Sequence, residues 1–194
     1  MSPAVSNIAV TPEQVVHHAA CAIRRGESGI PSHIKDLSVP VYATDRDGRI
    51  TFFNQACVDF AGRIPETGQD RWCVTWKLFT TDGSPLPHDR CPMAVAIREG
   101  RSVRGINAIA ERPDGSRVEF QPFPTPVFDD AGEVIGAVNV LVGTGSLDQS
   151  RHLKAQATRC RRLAKSTADK RVAETLRLMA AEYEEQARSL ERAH

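Results

Sequence analysis

The sequence has no long apolar run and no excess of one charge, and each absence narrows the possible functions. Its longest apolar stretch lies between Val134 and Val142, far short of the roughly 20 residues that a membrane-spanning helix needs. Lysine and arginine number 25 against 24 aspartate and glutamate, a formal net charge of +1. This balance lacks the basic bias typical of nucleic-acid binding. We therefore expect neither a membrane nor a nucleic acid to be the main partner.

The cysteines are also not spaced in pairs along the sequence. The five cysteines, an odd number, are scattered along the chain without a CxxC pair, which argues against a disulfide framework. The N-terminus lacks the basic and then apolar segments that are typical of a secretory signal. Both observations indicate a reducing compartment, and we expect a cytoplasmic protein.

The N-terminal residues 1–36 predict a flanking helix. Thr11, Pro12 and Gln14 provide the start of a helix with a capping box, and Gly26 and Gly29 are placed to end it. The apolar face of this helix is formed by Val15, Val16, Ala19, Ala20 and Ile23.

A β-hairpin is predicted next. Residues 39–44 and 50–53 have strand character, and the DRDG between them supplies a turn in which Gly48 can take a positive φ. Asn54 follows, where a short helix can begin. Residues 63–90 are irregular and contain both tryptophans, which we expect either to cover the core or to wall a pocket.

A short helix and three strands are predicted after this irregular segment. Asp89 is expected to cap the helix CPMAVAIREG, in which Pro92 occupies the first turn. The strands are predicted at 103–111, 117–128 and 133–142. The second strand contains three prolines and must be bulged or broken. The third is apolar on both faces, which indicates that both of its faces are covered.

The C-terminal segment, 146–194, is charged, rich in alanine and free of proline. Apolar residues recur at steps of four and three in two stretches, and the polar sequence KSTADK separates them. This pattern predicts two amphipathic helices that form a hairpin or a coiled-coil element.

This order of elements resembles a PAS domain over roughly residues 37–143. The opening TDRDGRITFFNQA and the closing DAGEVIGAVNVLV are similar to the first and last hairpins of that family, and we place the domain at 37–145. The resemblance implies an α+β fold: a five-stranded antiparallel sheet with short helices on one face, plus the N-terminal helix and the C-terminal helical hairpin. It also implies a pocket for a ligand or cofactor and dimerisation through flanking helices.

Several signatures found in such proteins are absent. Nothing in the sequence resembles the N-C-R-F-L motif of flavin photosensors, and CPMAVAIREG lacks the histidine that haem-binding oxygen sensors carry in the long helix. No kinase, nucleotide-cyclase or DNA-reading segment follows the domain. No catalytic constellation is apparent, so we interpret the chain as a bacterial sensory or interaction module without enzymatic activity.

Seven residues are candidates for contact with a ligand or cofactor: Asn139, Asn107, Trp76, Met93, Ile97, His88 and Cys91. Asn139 is a lone amide in an apolar strand, and a buried amide needs a partner, which can be a ligand, a backbone group or water. Asn107 lies on a neighbouring predicted strand and can face the same cavity. Met93 and Ile97 are expected in the core, where they can line a pocket.

His88 and Cys91 leave three interpretations open. In the first, Cys91 packs as a small apolar residue at the start of the helix and His88 bonds a loop backbone group. In the second, the Cys-Pro dipeptide resembles regulatory haem-binding sequences, in which the thiolate binds the iron. In the third, the pair serves metal or redox chemistry, although a structural zinc site needs four ligands. The cofactor, if any, stays unassigned.

The C-terminal helices carry two further candidates. His152 is placed where a phosphorelay protein can carry its phosphoacceptor, although its neighbours do not match a kinase motif; a solvated histidine is the alternative. The run Arg159, Arg161, Arg162 and Lys165 is either a solvated face or a patch for an acidic partner. We expect a homodimer, a signalling protein as partner of these helices, and a small-molecule ligand of unknown identity.

Overall fold

The structure is a computed structural model that describes residues 11–25 and 32–192. Gly26 and Gly29, which were predicted to end the first helix, lie outside the described residues. Its helices are α1 (Pro12–Arg24), α2 (Ser32–Lys35), α3 (Gln55–Ala61), α4 (Pro92–Glu99), α5 (Ser146–Ser166) and α6 (Lys170–Arg192). Its strands are β1 (Val41–Asp45), β2 (Ile50–Phe53), β3 (Lys77–Phe79), β4 (Ala108–Glu111), β5 (Arg117–Pro122), β6 (Thr125–Phe128) and β7 (Val134–Gly143).

The strands form one antiparallel sheet in the order β2-β1-β7-β5-β4-β3, and β6 also pairs with β7. β1 runs along one edge of β7, from the pair Val41 and Val140 to the pair Asp45 and Gly136. β5 and β6 share the other edge of β7. The architecture confirms the predicted α+β fold with an antiparallel sheet, although the sheet has seven strands where five were expected.

Proline chemistry explains one of the two additional strands. The predicted strand 117–128 is divided into β5 and β6, because proline has no N–H to donate to a sheet. The chain leaves the sheet after Pro122 and rejoins the same edge of β7 at Thr125. The prediction that this strand is broken is confirmed.

The other additional strand, β3, lies in the segment that was predicted to be irregular. Its three residues pair with β4, with Leu78 opposite Ala110. Three residues are too few to produce a recognisable alternation of apolar and polar side chains. β4 itself begins at Ala108, so the prediction that this strand starts at residue 103 was wrong.

Two apolar cores cover the two faces of β7. Ala137 and Leu141 face the first core, which includes residues of α3 and α4. Val138 and Val140 face the second core, which includes the buried face of α1. The prediction that this strand is covered on both sides is confirmed.

The capping predictions are confirmed at two helices and wrong at a third. Thr11 and Gln14 form the capping box of α1, and Asn54 caps α3 by accepting a hydrogen bond from the N–H of Cys57. At α4 the cap position is Cys91, without a side-chain cap, instead of Asp89. Asp89 belongs to a separate turn of 3₁₀ helix that precedes α4.

The C-terminal helices confirm the predicted hairpin. α5 and α6 pack through a seam of small buried residues, namely Ala157, Cys160, Ala164, Ala173, Ala180 and Ala187. An ion pair between Arg161 and Glu184 joins the two helices. No helix in the described ranges is long and apolar enough to cross a membrane.

Gly136 offers a test of the close pairing between β1 and β7. A Cβ atom at this position would overlap the backbone carbonyl of Thr44, so Gly136→Ala must push the two strands apart. We expect it to lower the free energy of unfolding by about 3 kcal/mol or more. The measurement is urea denaturation followed by circular dichroism.

Gly115→Ala is the control for that substitution. Gly115 has a positive φ of 82°, but a Cβ atom added there would meet no other atom within 4 Å. Its replacement should cost only the backbone strain of about 1–2 kcal/mol. Equal losses in the two variants would contradict the close approach of β1 and β7.

Candidate functional site

The candidate site is a chain of buried hydrogen bonds beside the first core. Tyr42 on β1 and Asn139 on β7 lie opposite each other, and both side chains are almost wholly buried. The Asn139 side-chain N–H donates to Tyr42 Oη at 3.1 Å, and Tyr42 Oη donates to the Trp72 carbonyl at 3.0 Å. The amide and the phenol are thus satisfied by protein groups, as burial requires.

The other end of this chain lies at the break between β5 and β6. The N–H of Phe123 is shared between Asn139 Oδ1, at 2.8 Å, and the Val140 carbonyl, at 2.9 Å. Both neighbours of Phe123 are prolines, so this is the one N–H in that tripeptide. The hydrogen bonds therefore connect the Trp72 loop, β1, β7 and the proline break.

Trp72 is held in a strained backbone conformation. Its φ of 69° lies in the left-handed region, which a bulky residue rarely adopts. Its N–H donates to the Gly48 carbonyl at 2.7 Å, and its ring covers Gly48 so closely that a Cβ there would overlap it. Such strain costs on the order of 1–3 kcal/mol and persists where the surroundings impose it. Here it directs the Trp72 carbonyl towards Tyr42.

An ion pair anchors the loop that carries Trp72. Arg63 pairs with Asp70, and Arg63 Nε donates to the Val74 carbonyl at 3.1 Å. His88 lies near this pair. Burial and the positive charge of Arg63 lower the pKa of His88, with Asp70 opposing them. Its Nε2 is buried without a hydrogen-bond partner among the described residues.

Buried thiols surround the same network. Cys91 is 2% exposed, and its Sγ lies 3.9 Å from the Trp72 carbonyl. Burial raises the pKa of Cys91 to about 12, and the nearby Cys73 adds to the rise. Burial also raises the pKa of Cys57 and that of Tyr42. These groups are therefore protonated near neutral pH.

This setting does not fit a haem held through Cys91. A thiolate ligand needs a deprotonated sulfur that faces open space, whereas Cys91 packs inside the first core. Within the described residues, no group of three or more His, Cys, Asp or Glu side chains is arranged to hold a metal ion.

The structure brings four of the seven candidate residues together. Cys91, Met93 and Ile97 are buried in the first core, and Asn139 reaches that core through Tyr42. The same core contains Phe60 and Phe120, whose rings meet edge to face.

The remaining candidates lie elsewhere. Trp76 is 45% exposed, with Lys77 Nζ 4.3 Å from its ring centroid. Asn107 is exposed and donates to Glu119 at 3.1 Å. His88 lies on the turn before α4, at the edge of the core. His152 belongs to α5, but its side chain lies outside the described part of the chain.

Sequence reasoning found Asn139 and missed its partners. Tyr42 is 97 residues away, and only the register of β1 on β7 brings the two together. Phe123 did carry a local signal, because a proline on each side interrupts the regular hydrogen bonding of a strand. No feature of the sequence indicated the left-handed backbone conformation of Trp72.

No family model matches the sequence, and no curated protein matches it. Solved structures that are similar include the Rhodobacter sphaeroides LOV protein, with 15% identity over 81% of this chain and 91% of that chain and a TM-score of 0.41. Another is the PAS domain of the fruit-fly ELK potassium channel, with 10% identity over 58% of this chain and 92% of that chain and a TM-score of 0.46. The strand order and helix placement described above are those of a PAS-like fold, as the sequence resemblance predicted.

The thiols provide a test of this site. We expect iodoacetamide at pH 8 to label Cys21, which is partly exposed, and to leave Cys57, Cys73 and Cys91 unlabelled in the folded protein. The reason is that burial makes the three core thiols inaccessible to the reagent, and it also raises the pKa of Cys57 and of Cys91. Mass spectrometry of peptides measures the labelling, and urea-unfolded protein is the control in which all should react. Labelling of Cys91 as fast as Cys21 would contradict the described packing.

Proposed function

We propose that this chain is a cytoplasmic sensory or protein-interaction module of bacterial signal transduction. In this proposal the PAS-like part, residues 37–145, receives the signal from a small molecule or a partner, and the hairpin, 146–194, passes it on. The observation that carries the proposal is the position of β7. This strand contacts both cores and ends only three residues before α5 begins.

The hydrogen-bond chain supplies a physical route for the signal. A molecule that contacts the Trp72 loop or α4 acts on the carbonyl that Tyr42 holds. Tyr42 and Asn139 transmit that change to β7, and β7 to α5. A signal can shift such an equilibrium only if it binds one state more tightly, by a few kcal/mol for a large shift.

The apolar stripe of α6 supports the homodimer that we include in this proposal. It consists of Val172, Leu176, Met179, Tyr183 and Leu190. Their spacing of four, three, four and seven residues follows the heptad pattern of a coiled coil. Leu176, Met179 and Tyr183 pack in part against the hairpin's own buried cluster, but all five residues of the stripe stay half-buried or exposed. We assign the surface that remains open to a second copy of the chain.

Asn139→Ala tests the route through β7. It removes one of the two acceptors of the Phe123 N–H and the donor to Tyr42, so we expect faster backbone hydrogen exchange in β7 and in α5. Asn107→Ala is the matched control, because Asn107 is an exposed asparagine whose side chain hydrogen-bonds the exposed surface residue Glu119. Exchange is measured by mass spectrometry under native conditions. An unchanged rate in α5 alongside faster exchange in β7 would contradict the relay.

Met179→Glu tests the dimer. A charge in the apolar stripe should weaken pairing by at least about tenfold, because a buried unpaired charge is costly. Light scattering over a concentration series measures the mass, and circular dichroism confirms that the helices persist. Leu178→Glu introduces the same charge at the neighbouring position outside the stripe and should keep the wild-type mass. A monomeric wild-type protein at all concentrations would refute the dimer.

A further inference from the structure

The charge of the chain is unevenly distributed, and its excess of positive charge lies at the far end of the hairpin. Residues 159–177 contain seven lysines and arginines against two acidic residues. The rest of the chain contains 18 basic and 22 acidic residues. The small overall net charge thus conceals a basic hairpin tip, defined as residues 159–177, on an otherwise acidic protein.

A groove of about 830 Å³ lies at this tip, between the end of α5 and the start of α6. Ala168 and Leu178 are the exposed apolar residues that line it, whereas Ala164 and Ala173 line it but are largely buried in the seam between α5 and α6. Leu178 is 64% exposed, so its apolar side chain is available to a partner. Small residues in a groove between helices allow another helix to approach closely.

Three cations line the same groove, Lys165, Lys170 and Arg177. Within the described residues none of them forms an ion pair, whereas Arg161 nearby is paired with Glu184. Glu174 is the one acidic residue among those that line the groove. The groove therefore combines an apolar lining with unpaired positive charge.

We propose that the tip groove binds an acidic amphipathic helix of a partner protein. The apolar face of that helix packs on Ala168 and Leu178, and its glutamates or aspartates meet the three cations. This inference rests on the proposed function, because it names the partner chemistry of the hairpin. The apolar lining favours a protein helix over nucleic acid, whose phosphates gain from the charge alone.

The groove and the dimer stripe lie on different sides of α6. At 100° per residue, Leu178 is about 100–140° around the helix axis from Val172, Met179 and Tyr183. Two copies can therefore pair through the stripe while each tip groove stays accessible to a partner.

The test uses the full chain and a fluorescent synthetic helix about three heptads long, with leucine at positions a and d and glutamate on the flanks. Fluorescence anisotropy should detect binding that weakens as salt is added, because screening reduces the attraction between charges. The triple variant Lys165→Glu, Lys170→Glu and Arg177→Glu should bind at least about tenfold more weakly, and so should Leu178→Ser.

Two further measurements make the test specific. The triple variant should instead bind the same helix with lysine on its flanks. A control with three exposed cations reversed outside the hairpin, Lys35→Glu, Arg46→Glu and Arg90→Glu, should bind the glutamate helix as the wild type does. Absence of binding, or equal weakening in the control variant, would overturn the proposal. The proposal would also be overturned if the hairpin tip bound a DNA or RNA duplex, or anionic vesicles, more tightly than it binds the glutamate helix.

The outcome is separable from that of the proposed function. Peptide binding needs neither the Asn139 route nor the dimer, so Asn139→Ala and Met179→Glu should both retain it. Loss of peptide binding with an intact relay would remove only this inference. If the peptide binds but Asn139→Ala leaves exchange in α5 unchanged, the tip groove remains a docking surface and only the proposed relay is contradicted.

Discussion

The burial of a polar amide in the central strand is the constraint from which much of the remaining structure follows. β7 is covered on both faces, so Asn139 cannot turn to water, and leaving it unpaired would cost about 1–3 kcal/mol. Its partners must come from the strands on either side. Tyr42 supplies one from β1, and Phe123 supplies the other from the proline break. The amide therefore ties the first strand of the sheet to the last and fixes their register.

The hydrogen bonds that satisfy Asn139 extend through Tyr42 to the loop that carries Trp72. The Tyr42 hydroxyl needs an acceptor, and it finds one in a backbone carbonyl that the left-handed conformation of Trp72 turns inward. Contacts with Gly48 and the Arg63–Asp70 pair hold this loop in place. The loop and the strand are therefore coupled by hydrogen bonds with defined geometry, in addition to apolar contacts, which tolerate sliding.

The sequence predicted those parts of the fold that local chemistry determines. It predicted the capping box at Thr11, the turn at Gly48, and the helix pair with its steps of four and three. Each of these features depends on neighbours within a few residues. β3 was missed because three residues carry no periodicity, and Asp89 was misassigned because a turn of 3₁₀ helix precedes α4. The lone amide at 139 marked the site, but its partners depend on long-range strand pairing that no local pattern encodes.

The central position of β7 also has a consequence for how the protein is made. β1 and β7 are separated by almost the length of the PAS-like part, and such distant pairings are slow to form. During synthesis, the ribosome must complete residue 143 before the middle of the sheet exists. Until then the apolar side of β1 and the inner face of α1 lack the strand on which both pack. The nascent chain thus carries exposed apolar surface and unpaired strand edges, which favour aggregation, until its last strand emerges.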